Sequence, residues 1–312
     1  MQLYCDHPER SRPFLGPGDD WRLAGQEGDL AQAGPALRAL LPDAPLWTAS
    51  AWPHLEGHLL IVDHAAQSQF LRLQQWLQAG GQVPDAFACI ALEGSGFVGQ
   101  RGRAWSALRG NLHLTVYRRL SSPVGDLQAG LVVLPAVAAV ESVEALLGPS
   151  APIGIKWVND VLMNGRKVGG VLTATHVQGS RIEHVLFGIG LNVARAPALP
   201  AAPWVTPATC LAEADPSLSG ALPRLLFALL ECLWLGVEAL LDGHASEWVE
   251  RYRRRSVVVG RMVRIDPEEE ADASADGSAL ATGRVLALTD DLGLVLEGVP
   301  EPVRRGRVTL LP

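Results

Sequence analysis

Hydrophobic and polar positions along this chain change period several times, and each change marks an element. HLLIVDHAAQSQFLRLQQWLQAGG (58–81) starts as a continuous apolar run and continues with helical periodicity. The pattern predicts a strand leading into an amphipathic helix that Gly80 and Gly81 terminate. AFACIAL (86–92) reads as a short apolar strand, GSGFVGQRGRAW (94–105) as a loop, and NLHLTVYRRL (111–120) alternates as a half-buried strand does. LQAGLVVLPAVAAVESVEALLG (127–148) is the most apolar segment, and Pro135, Glu141 and Glu144 within it favour a core helix over a membrane span.

IGIKWVNDVLMNGRKVGGVLTATHV (153–177) then reads as a buried strand, a tight hairpin and further strands. Asn164-Gly165 is the strongest two-residue hairpin signal in the chain. A second turn at Gln178–Arg181 returns the chain along FGIGLNV (187–193), and residues 195–210 form a proline-rich loop. LPRLLFALLECLWLGVEALL (222–241) is a long apolar helix, with Trp248 and Tyr252 on the segment after it. Beyond it, SVVVGRMVRID (256–266), ATGRVLALTDDLGLVLEG (281–298) and VRRGRVTLLP (303–312) are short alternating strands. Their spacing suggests a small barrel of about sixty residues. The acidic insert at 266–279 has too little apolar content to pack and reads as a mobile loop.

The expected fold class is α/β (α+β): a mixed β-sheet backed by helices over 46–254, followed by the small barrel over 255–312. Residues 1–45 are rich in Gly, Pro and Asp, with one helical pattern at LAQAGPALRALL (30–41), and form an extension whose role the sequence does not disclose. They carry no two-helix pattern with a basic recognition face, so a DNA-reading head is not expected.

A length of 312 residues suffices for a large core plus a small domain, and 48% hydrophobic with 19% charged residues is ordinary for a soluble protein. The net charge of −7 argues against general nucleic-acid binding but not against a phosphorylated small molecule held by a few lysines. Cys5, Cys89, Cys210 and Cys232 lie far apart without disulfide or zinc spacing. The N-terminus places charges and prolines where a signal peptide would need an apolar run, so a cytoplasmic protein with no membrane partner is expected.

Candidate chemistry concentrates at 153–192. Lys167 sits just past the Asn-Gly turn, where a hairpin can aim it into a cleft to balance charge on a phosphoryl and a carboxylate oxygen. A lone hairpin lysine is more often simply solvated. Lys156 changes that balance, because it lies inside an apolar strand between Ile155 and Trp157, where lysine rarely stands without a partner. Asp160 supplies a hard oxygen suited to magnesium, and Asn159 can donate and accept hydrogen bonds, although Asn-Asp is also an ordinary turn pair.

Arg101, Gly102, Arg103 and Trp105 lie on a glycine-rich segment able to wrap an anion, and no GK[ST] follows as a Walker A loop requires. Gly188 and Gly190 inside a strand mark close approach by a ligand or another backbone, and Asn192 closes that strand. RYRRR (251–255) reads as a solvated helix terminus. The histidines are scattered without metal spacing, and no Ser/His/Asp grouping stands out.

Together these segments resemble the biotin protein ligases, within the wider biotin/lipoate protein ligase family. KWVND (156–160) looks like that family's KWPND, with Val158 in place of the proline, and the interval to Lys167 and VGGVL is similar to its K-x-x-G-I-L. RGRAW (101–105) looks like the end of its G-R-G-R-x-G-R-x-W loop, RGNLHLTV like the strand that follows, and FGIGLNV like G-I-G-I-N-V. VVVGRMVRI through RRGRVTLL resembles its SH3-like C-terminal domain.

The resemblance implies a two-step ligation with ATP and Mg2+ as co-substrate and no tightly bound organic cofactor. Biotin's carboxylate attacks the α-phosphate of ATP, and a lysine of an acceptor carrier domain then displaces AMP. It implies that Lys167 contacts carboxylate and α-phosphate, and that Lys156, Asn159 and Asp160 serve phosphates and metal. Arg101, Gly102, Arg103 and Trp105 would order over the adenylate, Gly170 and Gly188 would line the acyl pocket, and a homodimer is compatible with it.

The chain also departs from the family pattern. Phe97, Val98, Gly99 and Gln100 stand where the family has its first G-R-G-R, and HAAQSQF (64–70) replaces an upstream Ser-Thr-Asn element. Lipoate or octanoate is therefore an alternative acid, and a binding protein that has lost turnover is an alternative of another class.

Overall fold

The computed structural model describes residues 1–25, 30, 33–125, 127–198, 206–267 and 279–311. The strands at the start of the chain are β1 (Gln2–Cys5), β2 (Arg22–Leu23), β3 (Trp47–Ser50), β4 (His58–Ala65) and β5 (Phe87–Val98). Then come β6 (Ala104–Ala107), β7 (Leu112–Pro123), β8 (Ile153–Lys156), β9 (Asp160–Met163), β10 (Arg166–Gln178) and β11 (Arg181–Leu191). The last four are β12 (Met262–Asp266), β13 (Ala281–Leu288), β14 (Leu294–Leu296) and β15 (Arg307–Leu310). The helices are α1 (Pro8–Ser11), α2 (Gly34–Leu40), α3 (Gln69–Gln78), α4 (Leu127–Leu147), α5 (Leu211–Ala214), α6 (Leu222–Leu241) and α7 (Ala245–Arg254).

Among the described residues, eleven strands form one mixed sheet in the order β2-β3-β1-β4-β5-β7-β11-β10-β9-β8, with β6 pairing onto β5. A separate four-stranded sheet, β14-β13-β12-β15, occupies the C-terminal region. The expected mixed sheet backed by helices is therefore present, and the region expected to be a barrel contains a small antiparallel sheet. The first fifty residues extend the large sheet: β1 lies parallel to β4 and antiparallel to β3.

The sheet's two faces follow from alternation. On β7, β10 and β11, Leu112, Leu114, Val116, Val171, Ile189 and Leu191 join one core cluster with α4 and α6. The opposite face is where His113 pairs with Gly190, Thr115 with Gly188, and Leu172 with Gly188 across the strands. α4 carries apolar residues all round because it is enclosed, by the sheet on one side and by α6 and α7 on the other. Burying each of its Leu and Val side chains contributes about 1.5–3 kcal/mol. It is long and apolar enough to span a membrane by length and composition, and 67% of that apolar window is buried inside the fold.

Several expectations are corrected. Residues 94–105 are not a loop: β5 runs on through Val98, turns at Gln100–Gly102 and returns as β6, with Phe97 opposite Trp105. RYRRR is not a solvated terminus either. Arg251 stacks on Trp248 at 3.8 Å and pairs with Glu141, while Arg255 reaches Glu141 at 3.0 Å and Glu144 at 2.9 Å. These arginines clamp α7 to α4. The helical pattern at 30–41 is realised as α2 over Gly34–Leu40. Most of the acidic insert, residues 268–278, and 199–205 of the proline-rich loop lie outside the described residues. Cys5, Cys89 and Cys210 are buried, Cys232 is half-buried and all are unpaired, and burial pushes the Cys5 and Cys232 thiols up to about 12.

Candidate functional site

A cavity of about 750 Å³ lies between the cavity-facing side of the large sheet, the β5–β6 hairpin and the small C-terminal sheet. Its size falls within the roughly 300–1,000 Å³ typical of small-molecule sites.

Glycines make the floor. Gly170, Gly188 and Gly190 lie side by side on β10 and β11, so that backbone rather than side chain meets whatever enters. A Cβ on Gly190 would stand 2.5 Å from the Trp105 ring, and one on Gly188 would stand 3.0 Å from the ring of Phe70. The close approach therefore requires glycine at 190, as the sequence suggested.

The β5–β6 hairpin makes the roof. Arg101 (φ 61°) and Gly102 (φ 71°) turn it, and Gly99 N–H donates to Arg103 O at 2.7 Å across its tip. Arg101, Gly102 and Arg103 are exposed at the mouth, whereas Trp105 points inward. Trp105 Nε1–H donates to His113 Nδ1 at 3.2 Å, and His113 Nε2 lies 3.1 Å from Leu108 O. Those two bonds assign the neutral tautomer with its proton on Nε2. Burial pushes the His113 imidazole down to about 4, so it stays an acceptor at neutral pH.

The charged end is built by the β8–β9 and β9–β10 turns. Asn164 (φ 51°) and Gly165 (φ 74°) form the tight hairpin that the sequence predicted, with Lys167 just beyond it. Lys167 Nζ donates to Asp160 Oδ1 at 2.5 Å, and Asp160 Oδ2 lies 4.0 Å from Lys156 Nζ. Lys156, only 7% exposed, also donates to Thr206 Oγ1 at 3.2 Å. Burial lowers its pKa, Asp160 opposes that shift, and Lys167, Arg103 and Arg307 add to it. Asn159 does not face the cations alone: its amide donates to Val171 O at 2.9 Å and ties the turn to β10.

The turn itself is held from behind. The Trp157–Val158 peptide is cis, Tyr252 OH donates to Val158 O at 3.1 Å, and Trp157 Nε1–H donates to Leu292 O at 2.7 Å. Asn192 anchors the end of β11 by donating to Thr209 O at 3.0 Å, while its buried Oδ1 has no partner among the described residues.

Every predicted site residue except Gly102 thus lines this one cavity, and Gly102 lies beside it at the hairpin tip. Phe70, His113, Thr206 and the arginines of the RRGR segment (304–307) line it as well and escaped sequence reasoning. For His113 a signal existed: in LHLTV it shares with Thr115 the polar face of an otherwise apolar strand.

Among the described residues, Asp160 is the carboxylate paired with both Lys156 and Lys167. Among the described residues no group of three His, Cys, Asp or Glu could form a metal cage on its own. A magnesium ion would fit only by sharing Asp160 with the phosphates of a nucleotide, which is how that ion is commonly held.

Comparison with known proteins agrees with this architecture. The model of the biotin/lipoate A/B protein ligase family matches residues 71–192. A biotin–[acetyl-CoA-carboxylase] ligase of Paracoccus denitrificans is 40% identical over 101 residues, covering 32% of this chain and 41% of that protein. One of Mycobacterium tuberculosis is 32% identical over 197 residues, covering 60% of this chain and 67% of that protein. The chain thus spans about two fifths of the length of the first relative and two thirds of the second. Among solved structures, a biotin protein ligase of Aquifex aeolicus in complex with biotin and ATP superimposes with a TM-score of 0.58 at 20% identity, covering 81% of this chain and 98% of that one. At that identity the likeness shows a shared fold.

Proposed function

The chain belongs to the biotin/lipoate protein ligase family, and from that premise we propose that it is an ATP-dependent ligase joining biotin to a lysine of a carrier-domain protein. The observation that carries the proposal is the Lys156–Asp160–Lys167 cluster at the edge of a glycine floor, under a closing hairpin.

In the first half-reaction an oxygen of the acid's carboxylate attacks the α-phosphorus of ATP, a P–O bond forms, and the bond to pyrophosphate breaks. Negative charge grows on the phosphoryl oxygens and the leaving group. Lys167, beside Gly170, is the donor placed to balance it, and Asp160 keeps the ammonium aimed. Lys156 supplies a second positive charge in a poorly solvated position, where each unit of charge acts more strongly than in water. Asp160 would hold magnesium, which supplies further neutralisation of the phosphates when bound.

In the second half-reaction the acceptor amine attacks the acyl carbon, AMP leaves with the electrons of the acyl–oxygen bond, and the amine loses a proton. An acyl phosphate hydrolyses if water reaches it, so Trp105 on the floor and Arg101–Arg103 above it serve to close the cavity. Residues 46–254 carry this chemistry in the proposal, and 255–312 form the small domain beside it.

A second acid is favoured by one observation. Phe70, Phe97 and Leu172, with Val98, give the cavity an apolar wall. Such a wall accepts lipoate or octanoate more readily than a ureido ring that needs polar partners. Acid-dependent exchange of labelled pyrophosphate into ATP, with biotin, lipoate and octanoate in parallel, decides. Exchange with biotin supports the proposal and exchange with another acid alone replaces the substrate. No exchange with any acid leaves a ligand-binding protein without adenylation.

A further inference from the structure

The cleft has a second charged wall. The turn before β15 and the start of that strand bring Arg304 and Arg307 to the cavity from the small sheet. Arg304 is engaged by Asp291 at 2.6 Å. Arg307 is not: its Nε is buried without a hydrogen-bond partner, and among the described residues it forms no ion pair. Facing the same space, Lys156 has its nearest carboxylate oxygen 4.0 Å away and its hydrogen bond on the neutral hydroxyl of Thr206.

The two walls are fixed relative to each other. Trp157, next to Lys156, donates to Leu292 O of the small sheet, and Arg253 on α7 reaches Leu288 O at 3.1 Å and Asp290 at 2.6 Å. Arg307 is also close enough to Lys156 to help depress its pKa. Asp160 is shared between Lys156 and Lys167, and Asp291 is taken by Arg304, so the cations facing this space outnumber their carboxylate partners and an entering anion is favoured.

Position selects the anion's identity. Lys167, against the glycine floor, marks where acid and α-phosphate meet. Arg307 reaches the same cavity from the small sheet, and a polyphosphate running on from the α-phosphate is the anion able to meet it together with Lys156. We infer that Arg307 binds the terminal phosphates of the nucleotide, forming with Lys156 a clamp for the pyrophosphate that leaves. The nucleotide's identity rests on the ligase reading above; the polyphosphate chemistry rests on the two cations themselves.

The test is calorimetric titration of the full chain with inorganic pyrophosphate in magnesium buffer, and separately with AMP. Arg307→Ala should weaken pyrophosphate binding about tenfold or more, the scale of a lost charge-assisted hydrogen bond, and leave AMP affinity within about twofold. Arg307→Lys should recover part of the loss. Arg264→Ala, an exposed arginine of the same sheet paired with Asp266, should change neither. Pyrophosphate affinity unchanged in Arg307→Ala, equal losses for both ligands, or no pyrophosphate binding by the wild-type chain would each overturn the assignment. The exchange assay on the wild-type chain reads the ligase proposal separately, so either idea can fail while the other stands.

Discussion

Lowering the pH from 7 to 5 should destabilise the fold before it releases Trp105, and the magnitude follows from one imidazole. His113 is 4% exposed, accepts the Trp105 indole proton and has its pKa pushed down to about 4 by burial, against 6.5 in an unfolded chain. A base with a depressed folded pKa binds fewer protons folded than unfolded between those two values. Its contribution to stability is therefore complete above pH 6.5 and is lost as pH falls toward 4. Between pH 7 and pH 5, linkage makes the loss about 2 kcal/mol. Protonation on Nδ1 would also put a donor against the Trp105 donor and break the bond that keeps the ring on Gly190. Denaturant midpoints at pH 7 and pH 5, for wild type and His113→Asn, isolate the effect as a difference of differences. An equal pH dependence in the two proteins would refute the reasoning, whatever the absolute stabilities.

Three further outcomes are expected. Lys167→Ala should reduce acid-dependent pyrophosphate exchange by about a thousandfold, the upper scale for removing one donor to a developing oxyanion, with an unchanged circular dichroism spectrum. Near-normal exchange would remove Lys167 from the mechanism. Gly190→Ala places a methyl 2.5 Å from the Trp105 ring, so thermal denaturation should show about 1–3 kcal/mol of overpacking and Trp105 should be displaced from the floor; an unaltered midpoint would mean that the ring does not rest there. Glu141→Gln leaves Arg251 and Arg255 without their shared carboxylate, and chemical denaturation should report about 2–3 kcal/mol of destabilisation, somewhat below a fully buried pair.

Legibility in the sequence tracked how local each feature is. The Asn164–Gly165 turn is written in two residues, and Lys156, Asp160 and Lys167 converge because that turn folds their strands together. The 94–105 segment hid its strands because glycines interrupt the alternation, while its decisive pairing sets Phe97 against Trp105 from the other side of the turn. RYRRR looked solvated because its carboxylate partner Glu141 lies 110 residues before Arg251. The N-terminal strands were silent for a similar reason: the partners of β1 are at 47–50 and 58–61. Arg307 depended on how one sheet docks on another, which no periodicity records.

The backbone between the two sheets is itself sewn to the site. Ile155 N–H donates to Arg255 O at 2.7 Å and Val257 N–H to Ile155 O at 2.9 Å, so the connecting residues lie alongside β8 like an added strand. With no slack there, traffic through the cavity cannot pass by parting the sheets. The exposed side is the hairpin tip, where Gly99 N–H donates to Arg103 O and residues 101–103 face solvent. On the proposed reading that tip is the door for both visitors: acid and nucleotide first, then the acceptor lysine. It must swing twice for every bond made.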